Sequence, residues 1–546
     1  MVEPYLCPYL KFKDYLLFME HFPDPSPISQ AIAKNNLQLE VDDYDLKILK
    51  KGAPFLMVAN QSLEYIDEIV LMHVLEQQGI PFRIIGRVNK FDESLWQYVL
   101  PVEFNPLQWE DYIKTIFKKL KWAKEEGVVI CLVLHFTDKG LDTALRNNVL
   151  NQLMKAILKV RMPIVPVRMQ APFPKFVRPR IGKMMILKQR KEPYKVSMRI
   201  GSAISVEDQE KFQKAAEFRR FLQSKIFSLG SGLEVKPLYL KSFFKRPGKV
   251  EPLAEPISKI LITNEINAIL KDSLIASQGE FDILVAEAKQ IPNTLKEIGR
   301  LRELTFREVE EGTGKSIDLD EYDLYYRQLI LWDREAQMIA GGYRMGLGEE
   351  IFNRYGAQGF YISSLFKIKK GFHPFMKSAV ELGRSYIVPD YQKKRLPLFL
   401  LWKGILYFLL NHQNYRYLYG PVSISKYYSN LSRGLIVAFI KNFYFNHELA
   451  QYLKPKKPFK ARVDKVDIDL LAAKLGDEIK NLDNLIEDIE PAHIKIPVLV
   501  RQYLKLNARF ISFNVDPNFS DVLDGFIILN LEDVPESMIE ALKKEA

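Results

Sequence analysis

The segment from Ala379 to Leu410 constrains the fold most, because a strand-like run passes almost directly into a strongly apolar run. It reads AVELGRSYIVPDYQ, then KKR, then LPLFLLWKGILYFLL. The β-branched and aromatic residues of the first run predict a strand that Pro389 ends, since proline cannot donate to a strand ladder. Pro397 suits the first turn of a helix, and the dense apolar residues after it predict burial or contact with lipid.

The loop between these two elements is a predicted site for an anion. A helix N-terminus presents unpaired N–H groups and the positive end of the helix dipole, an arrangement that suits a phosphate. Gln392, Lys393, Lys394 and Arg395 occupy this loop, and three of them add positive charge. The sequence therefore predicts that these four residues bind a phosphate-bearing ligand.

Residues 381–384 and three upstream motifs resemble those of the GNAT-superfamily N-acyltransferases, most closely the ornithine-lipid synthase type and its relatives, the acyl-homoserine-lactone synthases. Such relatives carry a Glu-x-Ser-Arg strand, which here reads Glu381, Leu382, Gly383 and Arg384. The upstream motifs stand in the family order: LRELTFREV with Arg302 and Phe306 resembles an Arg-x-x-x-Phe helix, DLDEYD resembles an Asp-x-Tyr-Asp segment, and GGYRM with Gly342 and Arg344 resembles a Gly-x-x-Arg strand end.

This resemblance implies an enzyme in which an amine attacks an acyl thioester. The amine is protonated at neutral pH, so a proton acceptor is required, and Glu381 is the candidate base, with Arg384 beside it. Strict alternation along a strand would place Glu381 and Arg384 on opposite faces. Both reach one site only if the strand bulges, most easily at Gly383. The alternative is a buried Glu381–Arg384 ion pair that holds the strand in place.

The upstream motifs supply the candidate acceptor-binding residues. We expect the acids Asp318, Asp320 and Asp323 to bind the cationic amino group of an amino acid. We expect Arg302 or Arg344 to bind its carboxylate, because an arginine fork matches that anion in a bidentate way. The alternative for the acids is a solvated acidic turn.

The donor site departs from the family pattern in one respect. The GNAT glycine loop Gln/Arg-x-x-Gly-x-Gly is absent, since Lys, Lys, Arg, Leu and Pro follow Gln392. Without that loop a tight cradle for the diphosphate of coenzyme A is disfavoured. We therefore expect the phosphopantetheine thioester of an acyl carrier protein as co-substrate, with acyl-coenzyme A as the alternative, and we expect no bound cofactor and no metal.

A proline-rich segment, FFKRPGKVEPLAEPIS, predicts a domain boundary, because its three prolines cannot continue a helix or a central strand. We place a first domain at residues 1–245, a linker at 246–260 and the GNAT-like domain, of α+β type, at 261–546. Before the linker, strand-like runs alternate with amphipathic helical runs, which predicts an α/β layer fold. The expected fold class is therefore α/β, in two domains.

The first domain resembles the glycerol-phosphate and lysophospholipid acyltransferases, whose Asn-His-x4-Asp signature corresponds here to PFLMVANQSLEYID. In that family the His is the general base and the Asp fixes its tautomer. Here the position of the His falls on Gln61 or Ser62, ahead of Asp67, and neither side chain accepts a proton at neutral pH. His73 and His135 are possible substitutes in space. The phosphate-binding signature of that family is degenerate too, so we expect a catalytically silent domain.

Composition narrows the partners and the location. The net charge of +11 and the 12% aromatic share fit work at an anionic membrane surface or with an acidic protein partner, not with nucleic acid. Two cysteines imply a reducing compartment without a disulfide framework. Leu396–Leu410, interrupted by Lys403, falls short of a membrane span. The expected location is cytoplasmic, peripheral on the inner face of the membrane.

Together these features predict transfer of a fatty acyl group from a carrier-protein thioester to the amine of a small amino acid, giving a precursor of the ornithine-lipid or glycine-lipid type. Two alternatives stay open at this point. One is a lysophospholipid O-acyltransferase or a bifunctional lipid synthase, with a first domain that uses an unrecognised base. The other is a non-catalytic lipid-binding scaffold, which retention of Glu381, Arg384 and the acidic segment disfavours.

Overall fold

The structure is a computed structural model, and it describes most of the chain. The described residues are 25–49, 54–62, 65–134, 143–170, 193–230, 250–309, 311–394, 396–461, 463, 465–516, 522–536 and 540. Within these ranges no helix combines the length and the apolarity needed to cross a membrane.

The chain divides into two compact units. The first unit is Met1–Leu233 together with Val463–Lys495, and the second is Glu234–Arg462 together with Ile496–Ala546. The sequence predicted an unbroken second domain at 261–546. The structure differs there, because Val463–Lys495 belongs to the first unit.

The first unit is built on a seven-stranded sheet with helices packed on it. The strands lie in the order 1-7-6-2-5-3-4, and each pair is parallel except the antiparallel pair of the sixth and seventh strands. They are β1 Leu37–Val41, β2 Leu56–Asn60, β3 Phe82–Gly86, β4 Val99–Pro101, β5 Val129–Leu134, β6 Ile164–Gln170 and β7 Tyr194–Ile200. The helices are α1 Pro27–Lys34, α2 Asp43–Leu49, α3 Tyr65–Gln77, α4 Trp109–Glu126, α5 Thr143–Val160, α6 Val206–Glu210 and α7 Ala215–Ser228.

The predicted α/β layer fold of this region is confirmed. The central strands β2 and β5 are buried along almost their whole length. Strands that helices cover on both faces read as continuous apolar runs, as LMVAN and VICLVL do here.

The second unit is built on an eight-stranded mixed sheet. Its order is 16-17-14-13-11-10-9-8, antiparallel except for the parallel pair of the thirteenth and fourteenth strands. Its strands are β8 Leu274–Gln278, β9 Phe281–Glu287, β10 Arg327–Asp333, β11 Met338–Leu347, β13 Ala379–Ile387, β14 Tyr417–Ile424, β16 Arg509–Asp516 and β17 Val522–Asn530, and β12 Phe366–Ile368 pairs separately with β15 Leu453–Pro455.

Helices flank this sheet, and the apolar run identified in the sequence is one of them. The helices are α8 Lys259–Ser273, α9 Pro292–Glu308, α10 Gly348–Tyr355, α11 Ile362–Leu365, α12 His373–Lys377, α13 Pro389–Gln392, α14 Leu396–Asn411, α15 Asn430–Phe443 and α16 His447–Ala450. Helix α14 packs on β8 to β11 and buries Leu400, Leu401, Ile405 and Phe408. The predicted strand and buried helix are therefore confirmed, whereas Gln392, which the sequence placed in the loop between them, is the last residue of α13.

The inserted segment forms α17 Ile468–Lys474 and α18 Ile479–Ile489, after which α19 Val498–Lys505 returns to the second unit. Asp488 of α18 is buried and accepts hydrogen bonds from the backbone N–H and the hydroxyl of Ser202 at 3.0 and 2.9 Å, and from Lys225 at 3.2 Å. Helical periodicity predicts an apolar face on this segment but does not specify the core that the face enters, which explains the misassigned boundary.

Candidate active site

Strands β13 and β14 form a fork. Their parallel ladder covers only the three pairs from Ala379–Tyr417 to Glu381–Tyr419, after which the strands separate while each keeps its other neighbour. Gly420 lies where the separation begins, and a Cβ built there would stand 2.0 Å from the carbonyl oxygen of Leu382. Only glycine fits this close approach, so the fork is encoded at residue level.

The predicted bulge in β13 is present. The register with β11 shifts between the pairs Gly342–Tyr386 and Arg344–Gly383, so two residues of β13 face one of β11. The residue with a left-handed backbone is Arg384, with φ of 50°, whereas the sequence predicted that the bulge would form most easily at Gly383. A non-glycine residue in this region costs on the order of 1 kcal/mol, and the surrounding contacts must hold it there.

Glu381 lies at the apex of the fork and is 1% exposed. Its carboxylate accepts hydrogen bonds from the Tyr326 hydroxyl at 2.5 Å, the Ile362 N–H at 2.7 Å and the Tyr361 N–H at 3.2 Å. Burial raises the pKa of Glu381 to about 7, against the opposing effect of these hydrogen bonds and of Arg344. A carboxylate with such a pKa exchanges a proton readily at neutral pH.

The arginines of the predicted site pair with its aspartates in one buried network. Arg302 comes from α9, Arg344 from β11 and Arg384 from the bulge of β13, and the acids come from the segment before β10. The closest contacts are Arg302–Asp318 at 3.0 Å, Arg302–Asp323 at 2.8 Å, Arg344–Asp320 at 2.6 Å, Arg344–Asp323 at 3.2 Å, Arg384–Asp318 at 2.9 Å and Arg384–Asp320 at 3.5 Å.

This pairing corrects one expectation and replaces one alternative. Arg302 was one of two arginines expected to bind the acceptor carboxylate, but it is fully buried and its guanidinium already donates to Asp318 and Asp323. The buried Glu381–Arg384 ion pair considered above is replaced by bonds from Arg384 to the aspartates. Burial alone would raise the pKa of Asp318, yet Arg384 and Arg302 hold it below its usual range. The sequence motifs do not show that these arginines and aspartates form ion pairs with each other, which leaves them less able to bind a ligand.

Tyr361 connects Glu381 to this network. Its N–H binds Glu381 and the Tyr326 hydroxyl, at 3.2 and 3.0 Å. Its ring lies under the guanidinium groups of Arg384 and Arg344, at 5.1 and 5.4 Å from the ring centroid. Glu381 and Arg384 therefore reach the same side of the sheet, as the bulge required, and no sequence motif identified Tyr361.

Three further acids near the fork were missed by the motif comparison. Asp524 of β17 faces Ser423 of β14, whose hydroxyl donates to it at 3.2 Å. Burial and the neighbouring Asp516 raise the pKa of Asp524 to about 8, and burial raises that of Glu311 to about 7. Alternation along VLDGFIILN, which interrupts an apolar run with a single acid, is the one sequence signal that points to Asp524.

The predicted donor-binding residues stand between β13 and α14. Lys393 and Lys394 are exposed directly before the N-terminus of α14, and the ammonium of Lys394 lies 5.3 Å from the Tyr391 ring centroid. The side chain of Gln392 donates to the Ile387 carbonyl at 3.0 Å. Arg395 lies outside the described residues.

In the first unit the degenerate motif is held by backbone contacts. Asn60 bridges β2 to β6 through both main-chain groups of Met169, at 2.9 and 3.1 Å. The buried Asp67 accepts from the N–H of Ser62 at 2.6 Å. Burial lowers the pKa of His73 on α3, and His135 lies outside the described residues.

The mixed sheet has a parallel central pair that opens into a fork, with a bulge on one arm and a carboxylate of raised pKa at the apex. This is the arrangement that the sequence motifs led us to expect of an acyltransferase. Residues 301–402, which extend from the Arg302 region into α14, match the family described as Acetyltransferase (GNAT) domain. No solved structure matches the chain.

Curated relatives carry related activities. The chain is 30% identical over 302 residues to a glycine N(alpha)-acyltransferase of Phocaeicola vulgatus, covering 53% of this chain and 91% of that protein. It is also 30% identical over 302 residues to a second glycine N(alpha)-acyltransferase, from Bacteroides thetaiotaomicron, covering 53% of this chain and 88% of that protein. It is 32% identical over 119 residues to an L-ornithine N(alpha)-acyltransferase of Rhizobium meliloti, covering 20% of this chain and 38% of that protein.

The chain therefore belongs to the GNAT family of N-acyltransferases. The predicted enzyme class is confirmed: the protein is an acyltransferase, and the non-catalytic alternative is excluded.

Proposed function

We propose that the second unit transfers a fatty acyl group from a thioester to the α-amine of a small amino acid, giving an acyl-amino-acid lipid precursor. The observation that carries this proposal is Glu381, a proton acceptor of pKa about 7 at the apex of the β13–β14 fork. The names of the relatives, which acylate the α-amine of glycine or ornithine, favour the same acceptor class.

The chemistry requires one proton acceptor and one polarised carbonyl. The ionised Glu381 takes a proton from the ammonium, directly or through water, and frees the nitrogen lone pair. The nitrogen attacks the thioester carbonyl, a C–N bond forms and the C–S bond breaks. The proton that the nitrogen loses on becoming an amide is balanced by the proton that the leaving thiolate takes up. Backbone N–H groups of β13 beyond its ladder with β14 are the proposed donors to the developing oxyanion.

Asp320 is the best candidate among the predicted acids for contact with the acceptor. Its side chain is 21% exposed, whereas those of Asp318 and Asp323 are 3% and 2% exposed. An ammonium can thus approach Asp320 while the other two acids hold the arginines. Arg344 is 1% exposed, so we assign it no contact with the acceptor. Its role is to position Asp320 and the Tyr361 ring.

For the donor we propose an acyl carrier protein. Lys393 and Lys394, with Arg395, precede a helix N-terminus and lack the glycine loop that would enclose a diphosphate. A single phosphodiester or an acidic protein surface suits such an open cationic loop.

For the first unit we propose a glycerol-phosphate acyltransferase-like domain that has lost its catalysis. The sheet with helices on it and the Asn60–Asp67 segment at the end of β2 support the resemblance, and Gln61 and Ser62 leave no proton acceptor at the position of the family His. The net charge of +11 supports docking on the anionic cytoplasmic face of a membrane.

The test is acyl transfer by the purified full chain. Acyl-carrier protein and acyl-coenzyme A are each supplied with glycine, ornithine or a lysophospholipid, and products are identified by mass spectrometry. We expect an amide product with an amino acid, formed faster from the carrier protein. Ester formation on the lysophospholipid without any amide would contradict the proposal, and equal rates from both donors would contradict its carrier-protein part.

A further inference from the structure

Tyr326, the residue directly before β10, contacts the proposed proton acceptor. Its side chain is buried, and its hydroxyl lies 2.5 Å from Oε2 of Glu381. The same hydroxyl accepts the N–H of Tyr361 at 3.0 Å, so its single proton points to Glu381. Burial and the nearby Glu381 raise the pKa of Tyr326 well above its usual range, which keeps that proton in place at neutral pH. Tyr326 is therefore a hydrogen-bond donor to Glu381.

Strand β11 fixes the position of the Tyr326 ring. The guanidinium of Arg344 lies 5.3 Å from the ring centroid, and a Cβ built on Gly346 would stand 2.4 Å from the ring carbon Cε1. Only glycine leaves room for the ring at this position. Because β11 pairs with β13, these contacts place the hydroxyl relative to the strand that carries Glu381.

The donors around Glu381 divide unequally between its two oxygens. Oε2 accepts from the Tyr326 hydroxyl and from the Tyr361 N–H. Within the described part of the chain, Oε1 accepts only from the Ile362 N–H, at 2.7 Å. Each carboxylate oxygen has two lone pairs. Oε2 is therefore saturated, and the acceptor position that remains on Glu381 belongs to Oε1.

We propose that Tyr326 is a positioning residue that closes Oε2 of Glu381, so that the acceptor amine gives its proton to Oε1. Because this role requires Glu381 to be the base, it rests on the proposed function. In the step, an N–H bond of the ammonium breaks, an O–H bond forms at Oε1 and the nitrogen keeps the electron pair, while Tyr326 keeps its own proton. The hydrogen bond from Tyr326 also favours the ionised form of Glu381 and so increases the fraction of enzyme that can accept a proton.

Other charged or titratable groups also face Glu381. They are Arg344 of β11, Tyr419 of β14, and Tyr322 and Tyr325 of the segment before β10. Arg344 acts in the same direction as Tyr326, since a cation favours the carboxylate. Tyr419 lies opposite Glu381 in the parallel ladder, but its buried hydroxyl has no hydrogen-bond partner among the described residues. Tyr419 is therefore a matched control, because its hydroxyl can be removed without loss of a hydrogen bond to Glu381.

The experiment titrates Glu381 in the full chain by infrared spectroscopy, without substrate. The C=O band of the protonated carboxyl group is followed against pH, and the spectrum of Glu381→Gln is subtracted to remove the bands of other acids. In Tyr326→Phe the midpoint should rise from about 7 to about 8, because the lost hydrogen bond favoured the carboxylate. Tyr419→Phe should move the midpoint by less than about 0.3 pH unit. A midpoint that Tyr326→Phe leaves unchanged would overturn the inference.

The pH dependence of amine acylation is the second measurement. In Tyr326→Phe, kcat/KM should fall about fivefold at about pH 7, because the higher midpoint leaves roughly one tenth of Glu381 ionised there. At about pH 9 it should return to within about 1.5-fold of wild type, since Glu381 is then ionised in both proteins. An equal loss of activity at every pH would show that Tyr326 only fills the core, and would overturn its positioning role.

A second variant keeps the test decisive if Tyr326→Phe does not fold. Replacement of Tyr326 by 3-fluorotyrosine retains the hydroxyl and makes the phenol a stronger donor. The midpoint of Glu381 should then fall below that of wild-type protein, opposite in sign to the effect of Tyr326→Phe. A midpoint that stays in place or rises with 3-fluorotyrosine would overturn the inference.

Failure of this role and failure of the proposed function give different results. Amine acylation by wild-type protein, combined with a midpoint that neither change at position 326 moves, overturns only the role of Tyr326. A raised midpoint in Tyr326→Phe, without acylation of any amine by wild-type protein at any pH, overturns the proposed function and leaves the effect of the hydrogen bond on Glu381 standing.

Discussion

Glu381 in the second unit and Asp67 in the first are both buried carboxylates that accept a short hydrogen bond from a backbone N–H, that of Ile362 at 2.7 Å and that of Ser62 at 2.6 Å. Their surroundings differ. Glu381 lies at the apex of a fork and shares Tyr361 with an arginine network. Upstream of Asp67, the positions where a general base would be needed hold the amide of Gln61 and the hydroxyl of Ser62. Burial prepares a carboxylate for chemistry only where a substrate can reach it and a partner can exchange its proton.

The largest expected effect tests this contrast directly. Glu381→Gln should reduce amine acylation by roughly 10²- to 10⁴-fold with the fold retained, because it removes the proposed proton acceptor. In wild-type protein kcat/KM should rise with pH through about 7, since the ionised form of Glu381 is the active one. Asp67→Asn should leave acylation within about twofold, because a silent first unit contributes no step.

The outcome that would break the comparison is near-normal turnover of a folded Glu381→Gln variant. Asp524, with its pKa raised to about 8, is then the next candidate base, and Asp524→Asn becomes the decisive measurement. The exposed Glu335→Gln controls for the loss of one carboxylate in the second unit.

Arg384→Ala should lower the free energy of unfolding by about 3–5 kcal/mol, because it leaves the buried Asp318 and the partly buried Asp320 without one of their cations. Relief of the left-handed backbone at position 384 should offset only on the order of 1 kcal/mol. Urea denaturation measures the difference. The matched control is Arg416→Ala, which breaks an exposed pair with Glu532 and should cost less than about 1 kcal/mol.

A smaller effect separates the two arms of the fork. Gly420→Ala should destabilise the protein by about 1–3 kcal/mol, since its new methyl group meets the Leu382 carbonyl. A Cβ built on Gly383 has no atom within 4 Å, so Gly383→Ala should lower the free energy of unfolding by less than about 1 kcal/mol. If the donor binds in the fork, the added methyl group should instead raise KM for the donor. Thermal melts and donor titrations distinguish the two. Similar melts for both variants would contradict the fork geometry.

The smallest expected effect concerns the donor loop. Lys393→Gln with Lys394→Gln should raise KM for an acyl-carrier protein by a few-fold at low salt and less at high salt, because exposed charges are screened. Lys441→Gln, an exposed charge on α15, is the control. A KM that is insensitive to both charge removal and salt would remove the loop from donor binding.

Local sequence predicted local structure well. The strand that begins at Ala379 and the buried helix that ends at Asn411 follow from β-branched residues, two prolines and a dense apolar run, each of which acts over a few residues. The bulge in β13 was predictable too, because Glu381 and Arg384 needed it to share a site. The position of its strained residue was not, since the contacts of Arg384 with Asp318 and Asp320 hold it there.

By itself the sequence determined the alternation of elements, the motifs that identify the acyltransferase family and the lack of a base at Gln61. Only the tertiary structure decided which charges meet, that α18 buries its apolar face in the first unit, and that Tyr361 joins Glu381 to Arg384. The physical reason is range. Propensity and periodicity act within one element, whereas ion pairs, burial and the pKa shifts they cause depend on residues far apart in the chain.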